Sequence, residues 1–165
     1  MVFKRNDNLR GASTEEIRGI DIPKIEYQGL QEVFAYWSRV RGENVAPSLR
    51  EFRLEELAPA IVPNMTIADF TGPPFDYRFR FFGSMVVQAA GLELTGKKYY
   101  ADGIRGFGYE NAQVFPSVIE ERRPIATRTT WVSVQSIRYV STAIRLPLSA
   151  DAVNITGCVT VYHFG

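Results

Sequence analysis

The sequence predicts an α+β domain in which a single antiparallel sheet carries short helices. Three features indicate this class. Helical periodicity is confined to the first third and the middle of the chain, strand-like runs follow one another through short turns, and helices do not alternate regularly with strands. Parallel strands would need a crossover connection between each successive pair. The order of elements therefore favours antiparallel pairing over an alternating α/β fold.

Size and composition fit one domain. The chain has 165 residues, of which 45% are hydrophobic and 13% aromatic, so it carries enough apolar surface to offset the entropy lost on folding. We divide the chain into a polar N-terminal arm, residues 1–27, and one folded domain, residues 28–165. Within the arm, Ser13 and Glu16 have the spacing of a capping box and predict one short helical turn.

The segment that follows the arm is predicted to be helical. Its apolar residues recur at helical spacing and end before Gly42, which lies where a helix C-cap belongs. These residues are Leu30, Val33, Phe34, Trp37 and Val40. Ser48 and Glu51 predict the start of a second helical stretch, which Pro59 and Pro63 interrupt.

A β-hairpin is predicted next. Residues 65–70 and 77–82 have the composition of strands and flank a Gly-Pro-Pro turn. In the second strand Tyr77, Phe79 and Phe81 alternate with arginines. This alternation predicts that the three aromatic rings share one buried face of the sheet.

The middle of the chain is predicted to hold two helices joined by a glycine-rich loop. Ser84 can cap a short helix over residues 85–90, and Gly91 can end it. A longer helical pattern covers residues 109–122. Pro116 lies inside that pattern and is expected to kink or split the helix.

Three β-rich runs complete the chain. They cover residues 125–134, 137–146 and 154–164, and a Ser-Ala-Asp turn joins the last two. Runs of this length with turn residues between them predict a meander. With the hairpin, they bring the predicted sheet to five strands.

Four segments together carry a family resemblance. They are the helix with Trp37 that runs to Arg41-Gly42, the segment APSLREFRLEEL, the block YRFRFFGSMVVQAAGLELTGKKYYAD and the PLSAD turn. Over about Tyr36 to Phe164 the chain resembles the PAS superfamily, in particular a largely uncharacterised PAS-like family of alphaproteobacteria. The central block is the most specific of the four.

The resemblance implies a PAS-like five-stranded antiparallel sheet with short helices on one face and an N-terminal helix. Members are regarded as sensory or interaction modules. We therefore expect a bacterial signal-transduction module, not an enzyme, that works in the cytoplasm as a homodimer and binds a small organic ligand or a protein partner. The apolar side of the helix around Trp37 is expected to cover the outer sheet face or to pair two subunits.

The resemblance also implies a candidate ligand pocket beneath the central helices. Its predicted wall consists of Phe79, Phe81, Met85, Val86, Ala89, Tyr99, Tyr100, Phe107, Tyr109 and Trp131. Such side chains suit an amphipathic ligand, and they equally suit a filled core. A flavin sensor of this fold needs a reactive Cys on the helix beside the flavin, and a haem sensor usually needs a His there. Residues 85–122 contain neither, so we expect no cofactor.

Composition argues against several other classes. The 19 basic and 18 acidic side chains leave a formal charge of +1, which is too small for binding to a phosphate backbone, so no nucleic acid is expected as a partner. The sequence contains no run of eighteen apolar residues, so no membrane association is expected. Cys158, the only cysteine, cannot form an internal disulfide and fits a reducing compartment.

No catalytic or metal-binding constellation is predicted. The spacing from Gly91 to Lys97 matches a P-loop, but Lys98 occupies the place of the required Ser or Thr and no strand precedes the segment. Cys158 and His163, the only histidine, lie five positions apart on one predicted strand. Their side chains should therefore point to opposite faces and cannot form a local nucleophile and base pair.

The arginines of the predicted strands have two readings. If some of them share a face they could bind a carboxylate or phosphate. Otherwise they are solvated, pair with Glu or lie at a dimer contact. They are Arg78, Arg80, Arg128, Arg138 and Arg145.

The runner-up function is a small enzyme on a cone-shaped α+β scaffold. An Asp or a Tyr would act as the proton-transfer base in an apolar pocket. The candidate carboxylates are Asp69, Asp76 and Asp102, beside Tyr99 or Tyr100. A purely structural dimer module is a third option.

Overall fold

The computed structural model describes residues 2–3, 6–9, 12–91, 93, 95–96, 98–100, 107–133 and 135–165. For residues 2, 3, 6–9, 12, 98–100, 107 and 108 the description covers the backbone alone.

Within this part of the chain, nine strands form one sheet. They are β1 (Val2–Phe3), β2 (Asn6–Leu9), β3 (Ala12–Ile20), β4 (Met65–Thr71), β5 (Asp76–Phe82), β6 (Lys98–Tyr100), β7 (Ile125–Val132), β8 (Arg138–Leu148) and β9 (Gly157–Phe164). The strand order is β1-β3-β7-β8-β9-β4-β5-β6, and β2 also pairs with β3. Every pairing between the described strands is antiparallel. The protein is therefore α+β, as predicted.

In the described part of the chain three α-helices cover the two faces of this sheet: α1 (Gln28–Arg41), α2 (Ser84–Ala90) and α3 (Phe107–Glu121). Helix α1 packs Leu30 and Val33 into the same apolar cluster as Ile144 and Leu146 of β8. We call this side of the sheet the outer face. Helices α2 and α3 lie on the opposite, inner face, where Val86 and Phe115 join a cluster with Ala143 of β8.

A buried hydrogen bond fixes α1 on the outer face. Trp37 Nε1 donates to the carbonyl oxygen of Pro147 at 2.8 Å, and the indole is 3% exposed. The expectation that the helix around Trp37 covers the outer face is confirmed.

The five predicted strands are all present as β4, β5, β7, β8 and β9, with ends that differ by up to three residues. The sheet is wider than predicted because β3 pairs with β7 along nearly its whole length. The capping turn predicted at Ser13 and Glu16 is wrong, since both residues lie in β3. Two buried side chains, Thr14 and Ile17, give that strand a core face, and a ladder of backbone hydrogen bonds outweighs one local capping turn.

Two helix predictions need correction. Ser48 and Glu51 do form the reciprocal capping contacts, at 3.2 and 3.0 Å, but the stretch they open contains turns and the short 3-10 helix Leu54–Glu56 in place of a longer helix. Helix α3 runs through Pro116 as one helix, so the split that was one of the two expected outcomes is wrong. The missing backbone hydrogen bond is tolerated because Val114 and Phe115, both fully buried, hold the helix on the sheet.

A β-bulge changes the face of one predicted pocket residue. Ile67 pairs with Phe81, whereas the next residue, Ala68, pairs with Phe79, so Arg80 is the extra residue of β5. Phe79 therefore lies in the inner cluster, and Phe81 packs against the outer one. The alternation predicted to place both rings on one face is interrupted here.

The close approach at Gly83 gives a stability prediction. A Cβ atom added there would lie 2.3 Å from the carbonyl oxygen of Pro63 and 2.8 Å from that of Val62. Since backbone cannot move aside cheaply, Gly83→Ala should lower the free energy of unfolding by about 2 kcal/mol or more, measured by urea denaturation. Gly29→Ala is the control: its Cβ meets nothing closer than 4.0 Å and should be neutral or stabilising by up to about 1 kcal/mol. Equal effects would contradict the packing described here.

Candidate functional site

The predicted pocket residues divide between the two faces. Phe79, Val86, Ala89 and Trp131 are buried together in the inner cluster under α2 and α3. Met85 lies on the exposed side of α2, at 42% exposure. Phe81 lies on the outer face, whereas Tyr109 lies on α3 and packs against the apolar cluster that includes Val114 and Val118 of the same helix. The side chains of Tyr99, Tyr100 and Phe107 lie outside the described part.

Aromatic rings form the apolar half of the inner face. Phe115 of α3 contacts Phe70 and Tyr77 with ring centroids 5.0 Å apart in both cases. Trp131 stacks on Tyr139 at 4.8 Å, and its Nε1 donates to Ser141 Oγ at 3.1 Å. The contacts of Phe115 hold α3 against the sheet, and those of Trp131 join the neighbouring strands β7 and β8.

Next to these rings lies a buried polar cluster. Arg145 Nη2 donates to Glu110 Oε1 at 2.5 Å, and its Nη1 donates to Thr127 Oγ1 at 2.6 Å. Nε and Nη2 also donate to Asn111 Oδ1, at 3.3 and 3.2 Å. The hydroxyl of Tyr162 lies 3.2 Å from Asn111 Nδ2. We call these five residues the polar cluster.

The cluster joins α3 to three strands. Glu110 and Asn111 come from the first turns of α3, Thr127 from β7, Arg145 from β8 and Tyr162 from β9. The side chains of Arg145 and Glu110 are 0% and 2% exposed. An acidic residue near a helix N-terminus also interacts favourably with the helix dipole. The start of α3 is therefore held on the sheet by charge as well as by apolar packing.

The pKa values follow from this burial. Loss of water alone would lower the pKa of Arg145, but the Glu110 carboxylate more than compensates, so the pKa is raised. Burial also raises the pKa of the Cys158 thiol, to about 12, and raises that of the Tyr162 phenol. Both groups are protonated at neutral pH, which makes neither of them a ready nucleophile or base.

Two further hydroxyls face this interior without partners. Thr66 and Thr129 are both fully buried, and neither Oγ1 atom has a hydrogen-bond partner in the described part of the chain. Thr66 lies in the same cross-strand row as Thr160 and Arg145. A buried hydroxyl without a partner is unfavourable, so these two positions could receive polar groups of a ligand.

Sequence reasoning missed the polar cluster as a unit. Arg145 and Glu110 are 35 residues apart, and they meet only because α3 lies across β8. One signal was present, because Arg145 interrupts an apolar run from Ala143 to Leu148. A charge at an inward position of such a strand requires a buried partner.

The remaining strand arginines behave differently from one another. Arg80 pairs with Asp69 at 3.0 Å, and Arg138 pairs with Glu15 at 2.8 Å. Arg78 and Arg128 are exposed, and within the described residues neither takes part in an ion pair. Pairing with acidic residues therefore accounts for three of the five arginines.

The candidate proton-transfer residues are also placed. Asp69 is in the ion pair with Arg80, and Asp102 lies outside the described residues. Asp76 is 6% exposed, its Oδ1 accepts a hydrogen bond from the backbone N–H of Tyr77 at 2.9 Å, and its cross-strand partner is Tyr100. Of the three carboxylates, Asp76 matches the expected burial beside a tyrosine.

Cys158 and His163 lie on opposite faces of β9, as predicted. Cys158 belongs to the inner cluster, whereas His163 stacks on Tyr27 with ring centroids 3.5 Å apart. Partial burial lowers the pKa of His163. In the described part of the chain no group of three or more His, Cys, Asp or Glu side chains could hold a metal ion. None of its helices is both long and apolar enough to cross a membrane.

Comparison with known proteins gave no match to any protein-family model. A comparison with curated proteins also found no match.

The buried ion pair gives the second prediction. Arg145→Met and Glu110→Leu should each lower the free energy of unfolding by about 3–5 kcal/mol. Each substitution removes one member of the ion pair and leaves the charge of the other buried and uncompensated. The double variant should cost clearly less than the sum, since it removes both charges. Urea denaturation of the four proteins in this cycle measures the coupling.

An exposed pair provides the control for this cycle. Arg138→Met removes an ion pair whose side chains are 67% and 37% exposed, and it should cost less than about 1 kcal/mol. Additive effects of the two core substitutions would contradict the coupling between Arg145 and Glu110.

Cys158 gives the third prediction. Its folded pKa of about 12 lies above that of an unfolded thiol, ~8.5. Between pH 8.5 and pH 12, roughly, the thiol is ionised in the unfolded chain and protonated in the folded one. The contribution of this group to the free energy of unfolding is therefore fully present below the unfolded pKa and falls as pH rises above it. Wild-type protein should lose up to about 1.4 kcal/mol per pH unit from this group between pH 9 and 10.

The slope of stability against pH is the test. Cys158→Ala should flatten that slope, whatever its absolute effect on stability. An unchanged slope would show that the thiol is not the group that titrates.

Proposed function

We propose that the chain is a PAS-like sensory or signalling module that binds a small organic molecule or a protein partner without catalysis, in the bacterial cytoplasm and as a homodimer. The attachment of α3 to the sheet through the buried polar cluster is the observation that carries this proposal. The five central strands and the helices α2 and α3 on the inner face also agree with what the family resemblance implies.

The polar cluster restricts α3 to defined positions on the sheet. Arg145 donates to Glu110, Asn111 and Thr127 at distances of 2.5 to 3.3 Å, and such contacts are lost when a helix moves by an ångström or two. A ligand or partner that favours a different position of α3 would therefore shift the protein between states.

Strand β8 offers a route from the interior to the outer surface. Arg145 faces α3, whereas its neighbours Ile144 and Leu146 pack in the cluster that α1 covers. A change in how Arg145 is held would displace residues that support α1. The apolar contacts of α1, and any subunit contact it makes, would then respond to events on the inner face.

The ionisation states of the interior support binding over chemistry. Cys158 and Tyr162 hold their protons at neutral pH because burial raises both pKa values. Thr66 and Thr129 add buried hydroxyls that can hydrogen-bond but do not ionise. An amphipathic ligand could use these hydroxyls together with the aromatic rings nearby.

Ligand binding gives the fourth prediction. A metabolite library should contain at least one compound that raises the melting temperature, by roughly 5–10 °C at a concentration about a hundred times its Kd. Native mass spectrometry of protein purified from its host should show the same compound bound. Ala89→Phe, which adds a ring on the buried side of α2, should weaken this effect, whereas Gln88→Phe on the exposed side should not.

The outcome separates the two halves of the proposal. Absence of stabilisation by every compound, together with a bare protein mass, would remove the small-molecule half. A monomer in sedimentation analysis would then remove the homodimer as well.

A second candidate function is a proton-transfer enzyme with Asp76 as its base. The burial of Asp76 opposite Tyr100 on the neighbouring strand favours it. In that case a metabolite from the screen should be converted to product, detected by mass spectrometry. Asp76→Asn should abolish the conversion while the compound still raises the melting temperature.

A further inference from the structure

The outer face carries one row of basic and polar side chains. Arg18, Arg128, Thr142 and His163 are successive cross-strand partners on β3, β7, β8 and β9, so they share a face. We call them the basic row. The neighbouring row on the same face is apolar and packs with α1: it consists of Ile20, Ala126, Ile144 and Val161. The basic row thus lies at the margin of the area that α1 covers.

The charges in this row are not balanced. Arg18 and Arg128 are directly opposite each other, an arrangement that is unfavourable for like charges. Arg18 is compensated by Glu16, at 2.7 Å. Arg128 has no hydrogen bond or ion pair among the described residues. One guanidinium in the row is therefore available to an anion.

Arg128 lines a cleft of about 320 Å³. Its lining includes Arg128 of β7, Thr142 of β8 and four residues of the segment that leads into α1, namely Asp21, Lys24, Glu26 and Tyr27. Lys24 and Asp21 neutralise each other at 2.8 Å. Thr142 is 4% exposed, and the ring of Tyr27 is held in place by its stack on His163. The volume is at the lower end of the range for small-molecule sites.

We propose that this cleft binds a small organic anion through a carboxylate or phosphate group. The guanidinium of Arg128 offers paired N–H donors that match two oxygens of either group. The hydroxyl of Thr142, its cross-strand neighbour, can donate to the same oxyanion. Glu26 places one negative charge on the wall, which limits the affinity for multiply charged anions. The site is independent of the proposed interior ligand, because its two strand side chains, Arg128 and Thr142, lie on the outer face.

The single histidine of the chain provides the readout. Inorganic phosphate and acetate are each titrated into the intact protein at constant ionic strength, while the imidazole NMR signals of His163 and the backbone amide signals of Thr142 are followed. We expect a saturable shift with at least one of the two anions. Saturation by acetate alone assigns the site to carboxylates, and saturation by phosphate alone assigns it to phosphates.

Three single-charge variants sharpen the test. Arg128→Gln should weaken binding roughly tenfold or more, because a charge-assisted hydrogen bond is lost. Glu26→Gln should strengthen it roughly two- to fivefold. Arg78→Gln removes an exposed strand arginine of β5 and should leave the affinity unchanged. Thr142→Val, which keeps the side-chain volume, should weaken binding as well.

Two results would overturn the proposal. One is a shift that stays linear in anion concentration and equals that produced by chloride. The other is an equal loss in Arg78→Gln and Arg128→Gln, which would mean that net charge alone governs the effect.

Discussion

The contact between Arg145 and Glu110 is the constraint on which the arrangement of the inner layer depends. A guanidinium without access to water must have its donors occupied by protein atoms. Glu110, Asn111 and Thr127 occupy them, and they come from a helix and a neighbouring strand. This requirement fixes where α3 begins and which of its sides faces the sheet. Apolar residues of the same shape can give equal stability, so we attribute to the pair a role in defining geometry.

Strand β8 contacts the helices on both faces of the sheet. Its residues from Ser141 to Leu148 are all buried, with α1 on one side and α3 on the other. The central position in the sheet explains this, since β7 and β9 occupy both of its edges. A strand covered on both faces carries no simple polar and apolar alternation, and the stretch from Ala143 to Leu148 shows none apart from Arg145.

Much of the fold could be predicted from local patterns. The strands after Pro124 and the hairpin before Gly83 were found because period-two alternation and turn residues are local signals. Strand β3 was missed because its exposed side chains resemble a polar arm, and its strand conformation depends on pairing with β7. The bulge at Arg80 and the meeting of Arg145 with Glu110 depend on register and on helix placement, which no short segment of sequence encodes. For the same reason only part of the predicted pocket wall lies on the inner face.

The two tryptophans of the chain are attached to β8 from opposite sides. Trp37 is bonded to the carbonyl of Pro147, and Trp131 is bonded to the hydroxyl of Ser141. Each indole is at most 3% exposed, so its fluorescence reports on its own layer. In two variants that each retain one tryptophan, the fluorescence of Trp37 would report on the packing of α1, and that of Trp131 would report on the packing of the inner face.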